Sequence, residues 1–119
     1  MRRIRLSDFE RERDRRARNG EFVCCADLRS AANELGLIDP IAEALRFPPW
    51  GRNWDALSDF AGDLEWISER GVVLGLRGLE AAFERLPSEA ALLVRILSEE
   101  SQFHASYGRS FEVLSILEE

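Results

Sequence analysis

The 119-residue chain contains one histidine, two cysteines and no lysine, and it has no long apolar run. Its longest apolar runs, 22–26 and 90–94, are far shorter than the roughly 20 residues that cross a bilayer. The N-terminus also lacks the apolar segment of a secretory signal. These absences predict a cytoplasmic protein with no membrane partner.

Cysteine chemistry is disfavoured by the position of the two thiols. Cys24 and Cys25 are adjacent, so a disulfide between them would be strained, and in a strand they would point to opposite faces. The sequence has no C-x-x-C motif either. We therefore expect two reduced, packed thiols.

Enzymatic activity has little support in the sequence. His104 is the single histidine and lies near the end of a predicted helix, where a capping or core role is expected. No nucleophile-elbow, P-loop or dinucleotide-binding motif is present. We predict a protein that is not an enzyme, with no catalytic residue and no cofactor.

The charge is unevenly distributed along the chain. Residues 1–19 hold eight arginines and four acids, a net charge of +4, whereas residues 20–119 hold eight arginines and eighteen acids, a net charge of −10. The acidic part favours a basic protein partner and argues against direct binding of nucleic acid. Residues 1–19 are predicted to be a charged N-terminal extension, helical or loose, with its charges paired internally; a nucleic-acid-binding arm is the alternative.

Residues 20–119 are predicted to form one α/β domain. Apolar runs and helical periodicity alternate in the order strand, helices, strand, helices, strand, which indicates a three-stranded parallel sheet flanked by helices. Gly36 is interpreted as a helix stop, and Asp39-Pro40 as a helix start. The predicted strands are 21–26, 71–76 and 110–117, and the predicted helices are 28–35, 41–46, 54–67, 79–86 and 87–102.

The segment 47–59 is the most informative part of the sequence. Gly51 indicates a turn and Asn53 a helix N-cap, so that a helix begins at Trp54. At 100° per residue, the helix has an apolar side and a nearly opposite acidic side. The apolar side is formed by Trp54, Leu57, Ala61 and Leu64, and the acidic side by Asp55, Asp59 and Asp63.

Three carboxylates without a neighbouring histidine or lysine are typical of surfaces that bind cations or mimic anions. A purely solvated helix face, a Mg²⁺ or Ca²⁺ site and a metal-dependent enzyme are the alternatives. Trp50, held between Pro49 and Gly51, is interpreted as an interface anchor or as a core residue.

The sequence Phe-Pro-Pro-Trp-Gly-Arg-Asn-Trp-Asp-Ala-Leu-Ser-Asp at 47–59 resembles the signature of the barstar-like ribonuclease inhibitors. In that family a proline–aromatic–glycine turn leads into Asn-x-Asp-Ala-Leu-x-Asp. The resemblance extends over about residues 20–119. It implies the family fold, a three-stranded parallel sheet flanked by helices. It also implies the family function, in which a bacterial immunity protein binds a small microbial ribonuclease and plugs its active site.

The resemblance also implies which residues bind the partner. Asp55 and Asp59 match the two family aspartates, and the second stands where an RNA phosphate would bind the nuclease. Glu99 is the nearest match to a glutamate on a later helix. The full predicted partner-binding set is Trp50, Gly51, Asn53, Asp55, Asp59, Asp63 and Glu99.

The chain departs from the family pattern at three positions. Pro49, Ser58 and Phe60 stand where the family often has an aromatic residue, a tryptophan and a cysteine. The acids are kept while part of the aromatic surface is changed. The alternative function is therefore an interaction module of the same fold that binds a basic protein without nuclease activity.

Overall fold

The computed structural model describes residues 1–118 and contains a four-stranded parallel sheet flanked by helices. The strand order is β1-β4-β3-β2, and all three pairings are parallel. The strands are β1 (Arg2–Arg5), β2 (Phe22–Asp27), β3 (Gly71–Arg77) and β4 (Ser110–Leu117). The helices are α1 (Leu6–Arg18), α2 (Glu34–Ala44), α3 (Trp54–Asp63), α4 (Leu79–Arg85) and α5 (Pro87–Ser106).

The predicted count of three strands is wrong, because the N-terminal residues add a fourth. β1 pairs with β4, with Ile4 opposite Ile116. Three of its four residues are exposed arginines and only Ile4 is buried. A strand this short and this charged has no hydrophobic pattern that sequence reasoning can recognise.

The helix expected within the N-terminal residues is present, but it is packed rather than loose. α1 covers one face of the sheet with Phe9, whose side chain is only 2% exposed. Phe9 packs with Ile4, Val73, Leu114 and Ile116 in a small apolar cluster. A helix that buries its apolar side in this way is held by tertiary packing, although most of its other residues are charged.

The opposite face of the sheet carries the main core. Side chains alternate along a strand, so Val73 of β3 faces α1 while Val72 and Leu74 face the other helices. Cys24 and Cys25 follow the same rule, on the main-core side and the α1 side respectively. Both are free thiols, as predicted.

Close contact between α1 and the sheet depends on a glycine in β3. A Cβ atom built on Gly75 would lie 2.7 Å from Phe9 Cε1 and 2.7 Å from Ile116 Cδ1. That separation is too short for non-bonded carbon atoms, so a side chain here would push α1 away from the sheet.

The side chain of Arg16 links the C-terminal end of α1 to the sheet. The Arg16 side chain is 14% exposed. Its Nη1 donates to Glu112 of β4, and its Nε and Nη2 donate to Glu21 at 2.8 and 2.7 Å. The hydrogen bond from Arg16 lowers the pKa of the Glu21 carboxyl. A partly buried arginine with these partners has its charge well compensated.

The two helices predicted at 28–35 and 41–46 are one helix, α2, which runs through both Gly36 and Pro40. The predicted start at residue 28 and the predicted break are wrong, because residues 28–33 form a loop and residues 36–40 are helical. Its N-cap is Asn33, whose Oδ1 accepts a hydrogen bond from Gly36 N at 3.0 Å. Gly36 lies against Ala31, so the glycine serves close packing rather than a helix stop. Pro40 removes one N–H from the helix without ending it.

The remaining elements follow the predictions with shifted ends. α3 ends at Asp63 rather than at residue 67, because Leu64 adopts a left-handed conformation with φ of 51°. α5 continues beyond residue 102 to Ser106. Within residues 1–118, no helix has the length and apolar character needed to span a membrane.

The substitution Phe9→Ala tests the packing of α1. Loss of this buried ring should lower the free energy of unfolding by about 3–5 kcal/mol, whereas a loose arm would give no change. Phe83→Ala on α4 is the matched control, since that ring is 39% exposed and its removal should cost below about 1 kcal/mol. Urea unfolding of both variants measures the difference, and equal small effects would contradict the packing.

Candidate functional site

The loop before α3 is built on an aromatic cluster. Phe47 lies at its centre, with ring centroids 5.1 Å from Trp50, 5.4 Å from Phe60 and 5.7 Å from Trp66. Trp66 Nε1 also donates to Leu45 O at 2.8 Å. Trp50 is half-buried and packs against the main core and against Phe47 in a T-shaped contact. Phe60, one of the three departures from the family pattern, is part of this support.

The conformation of the turn before α3 depends on Arg52 rather than on the flexibility of a glycine. Arg52 has a φ of 52°, while Gly51 lies outside the left-handed region. The Arg52 guanidinium donates to both carboxylate oxygens of Asp39, at 3.1 and 2.7 Å. This pair ties the loop to α2, and it lowers the pKa of the Asp39 carboxyl. Gly51 instead provides space, because a Cβ there would lie 3.3 Å from Asn53 Nδ2.

Asn53 is the N-cap of α3, as predicted. Its Oδ1 accepts a hydrogen bond from Ala56 N at 2.8 Å, and its backbone is extended. Trp54 Nε1 donates to Glu34 Oε2 at 2.9 Å, joining the first turns of α3 and α2. Asp55 follows in the first turn of α3, where the helix dipole favours an anion.

The predicted acidic row is exposed along α3. Asp55, Asp59 and Asp63 are solvent-accessible, whereas Leu57 and Ala61 are fully buried. Among residues 1–118, none of the three aspartates forms an ion pair or accepts a side-chain hydrogen bond. Their charges are therefore available to a partner rather than neutralised within the fold.

A shallow depression of about 300 Å³ lies between α3 and α5 beside this row. Glu100 approaches α3 so closely that a Cβ on Gly62 would lie 2.7 Å from its Oε2. Burial is the main cause that raises the pKa of the Glu100 carboxyl, and the charges of Glu99 and Asp59 add to it. The lining residues are Ser58, Asp59, Gly62, Asp63, Glu100 and Phe103.

Glu99, predicted from the resemblance, does not line this depression. It is exposed on α5, 3.6 Å from Arg95 Nε in an i,i+4 ion pair. Sequence reasoning missed Glu100 and Phe103. A signal for Glu100 was available, because it continues the helical spacing of Leu93, Ile96 and Leu97; that spacing places it on the packed side of α5.

His104 is a core residue that fixes α3 against α5. It is 5% exposed, and its Nε2 lies 2.8 Å from Ala61 O. A carbonyl oxygen only accepts, so Nε2 carries the hydrogen and donates. The expectation of a capping or core histidine is confirmed.

Metal ligation was the alternative for the aspartates. Across the described residues, 1–118, no group of three histidine, cysteine, aspartate or glutamate side chains is arranged so that it could hold a metal ion. Asp55, Asp59 and Asp63 follow one another along a single helix, which leaves most of a coordination shell unfilled.

The contact between Glu100 and α3 predicts a coupled titration. Asp59→Asn removes one of the charges that raise the pKa of Glu100, so an NMR titration should show that pKa fall in the variant. Asp14→Asn on α1 should leave it unchanged. An unchanged Glu100 titration in Asp59→Asn would contradict the contact.

The raised pKa of the Glu100 carboxyl predicts that the free energy of unfolding depends on pH. The pKa of folded Glu100 lies above its ordinary value of 4.5, so the folded state binds more protons and loses stability as pH rises through that interval. Glu100→Gln should therefore be more stable than the parent at about pH 7, with the difference shrinking towards about pH 4. Urea unfolding at both pH values measures this, and a constant difference would contradict it.

Comparison with known proteins shows which family the chain belongs to. No curated protein matches the chain at a significant level. The sequence model of one family, described as Barstar (barnase inhibitor), matches residues 21–116. This match covers most of the chain, from the start of β2 into β4, and includes the aromatic loop, the acidic row and the depression beside α5. The chain belongs to the Barstar family.

Proposed function

We propose that the protein is an inhibitor that binds a small secreted ribonuclease, or a related toxin, and blocks its active site with α3 and the preceding loop. The observation that carries this proposal is the family match over residues 21–116, combined with an exposed row of unpaired carboxylates on α3. The inhibitor would act in the bacterial cytoplasm, without catalysis or a cofactor, and would protect the cell that makes the toxin.

Electrostatic complementarity supports a nuclease as the partner. A ribonuclease presents cationic side chains to the phosphates of its substrate. Successive aspartates on α3 are four residues apart, which places their Cβ atoms about 5–6 Å from each other. Such a row offers a repeated negative charge to a cationic cleft and speeds encounter with it.

The proposed roles follow from position. Asp59 lies in the middle of the row and beside the depression, so we assign it the central charge contact. Asp55 and Asp63 flank it, and Glu100 adds a fourth carboxylate from α5. Glu99 is assigned to the rim of the surface, where its pair with Arg95 is exposed.

Trp50, Gly51 and Asn53 are proposed to serve the loop side of the interface. The accessible part of Trp50 would provide the aromatic anchor, with Phe47 holding the ring. Gly51 leaves room for Asn53, and Asn53 sets the start of α3. These contacts exist before the partner arrives, so little conformational entropy is lost on binding.

The substitution Asp59→Ala tests the proposed site. Removal of a central charge should weaken binding to the target by at least about 2 kcal/mol, the usual threshold for an interface hot spot. Barnase, small guanyl-specific ribonucleases and toxins encoded nearby are the panel, with inhibition titrations as the measurement.

Asp14→Ala is the matched control, because Asp14 is an exposed aspartate on α1, on the other face of the sheet. It should inhibit as well as the parent. Full inhibition by Asp59→Ala would overturn the site, and inhibition of no nuclease in the panel would overturn the function.

A basic partner without nuclease activity is the second candidate. It is favoured by the changed aromatic residues, since Phe60 packs against Phe47 and Trp66 within the protein and is less available to a partner. Tight binding to a basic protein that cleaves no RNA, lost in Asp59→Ala, would identify this candidate. Calorimetric titration with Mg²⁺, Ca²⁺ and Mn²⁺ tests the metal-dependent alternative, which predicts heat of binding.

A further inference from the structure

A second charged surface lies on the opposite face of the sheet from α3. It is a trough between β1 and α1, with a volume of about 730 Å³. Six arginines line it against two acids, Asp8 and Glu12, a net charge of +4. The six are Arg2, Arg3, Arg5, Arg11, Arg15 and Arg18.

Three of the arginines share one side of α1, and three lie on β1. Arg11, Arg15 and Arg18 are spaced by four and three residues on α1, so they share one side of the helix over roughly 10 Å. The other three lie along β1. Arg11 extends into solvent, with 74% of its side chain exposed. The guanidinium groups of Arg11, Arg15 and Arg18 therefore border the trough from α1, and β1 adds Arg2, whose side chain shares the face of Ile4.

Internal ion pairs leave part of this charge unused. Asp8 pairs with Arg5 and Arg11, and Glu12 accepts from Arg2 at 2.8 Å. Arg3 and Arg18 form no ion pair with any residue from 1 to 118. The surface pairs are exposed and individually weak, so a ligand of higher charge density can displace them.

The sheet separates this trough from the acidic row. α1 packs on one face, through Phe9, and α3 belongs to the layer that covers the other face. At physiological salt, interactions between exposed charges are screened beyond about 8 Å. The two surfaces can therefore act independently in spite of the overall charge of −6.

We propose that this trough binds the sugar–phosphate backbone of a single-stranded nucleic acid. Guanidinium groups bind phosphate oxygens in bidentate geometry. No aromatic side chain lines the trough, so bases would not stack and binding would tolerate any sequence. Its apolar lining is Ile4, which is buried, and Leu117, so it offers little to insert into a membrane.

The experiment is a fluorescence anisotropy titration of the full chain with labelled single strands of about 15 nucleotides. RNA and DNA strands of the same sequence are compared, to distinguish the two backbones. Binding should weaken about 50-fold between 50 and 200 mM NaCl if four phosphates are contacted.

The variant Arg11→Gln/Arg18→Gln should lower the slope of log affinity against log salt by about 1.4. It should keep the parent's unfolding curve, because both side chains are exposed. Arg70→Gln/Arg95→Gln removes two exposed arginines outside the trough and should bind nearly as well as the parent. Asp59→Ala should also bind normally.

Absence of binding to either strand at about 50 mM NaCl would overturn the proposal. An equal loss in the two double variants would also overturn it, since overall charge would then explain the binding. Displacement of the strand by polyglutamate at the same charge concentration would assign the trough to acidic proteins instead. Binding only to vesicles that contain phosphatidylserine would assign it to a membrane surface.

Discussion

The burial of one side of α3 against α5 and the main core determines the direction in which the three aspartates of α3 point. Leu57 and Ala61 are fully buried, and the hydrogen bond from His104 to Ala61 O fixes the rotation of the helix. Because the helical period is 3.6 residues, the aspartates spaced by four must then face solvent together. The acidic surface is thus a geometric result of the core, and core substitutions at this contact would change the direction of the aspartates.

Charge on this protein is separated by the sheet into two surfaces of opposite sign. The acidic surface belongs to α3 and α5, and the basic one to β1 and α1. The two surfaces differ in their internal ion pairs. The three aspartates of α3 have no ion-pair partner among residues 1–118, while arginines of the trough pair with Asp8, Glu12 and Glu112. The sheet thus keeps the acidic side chains of α3 apart from the arginines of the trough.

Local patterns predicted α3 well and failed where distant residues decide the structure. The Asn53 cap and the apolar spacing of α3 depend only on residues close together in the sequence, and the exposed row of aspartates followed from them. β1 was missed because its partner strand, β4, lies at the other end of the sequence. Glu99 was predicted from the resemblance, whereas the helical spacing of Leu93, Ile96 and Leu97 places Glu100 on the packed side of α5. α2 was divided in two because Gly36 and Pro40 are local breakers that tertiary packing overrides.

The position of β4 between β3 and β1 has a consequence for how the chain folds. Arg2 pairs with Leu114, so β1 has no partner strand during synthesis until β4, much later in the sequence, has been made. During synthesis, α1 and β1 can cover only an incomplete sheet. Pairings this distant in sequence close late and slow folding, so the trough between β1 and α1 is complete only when β4 has been inserted between β3 and β1.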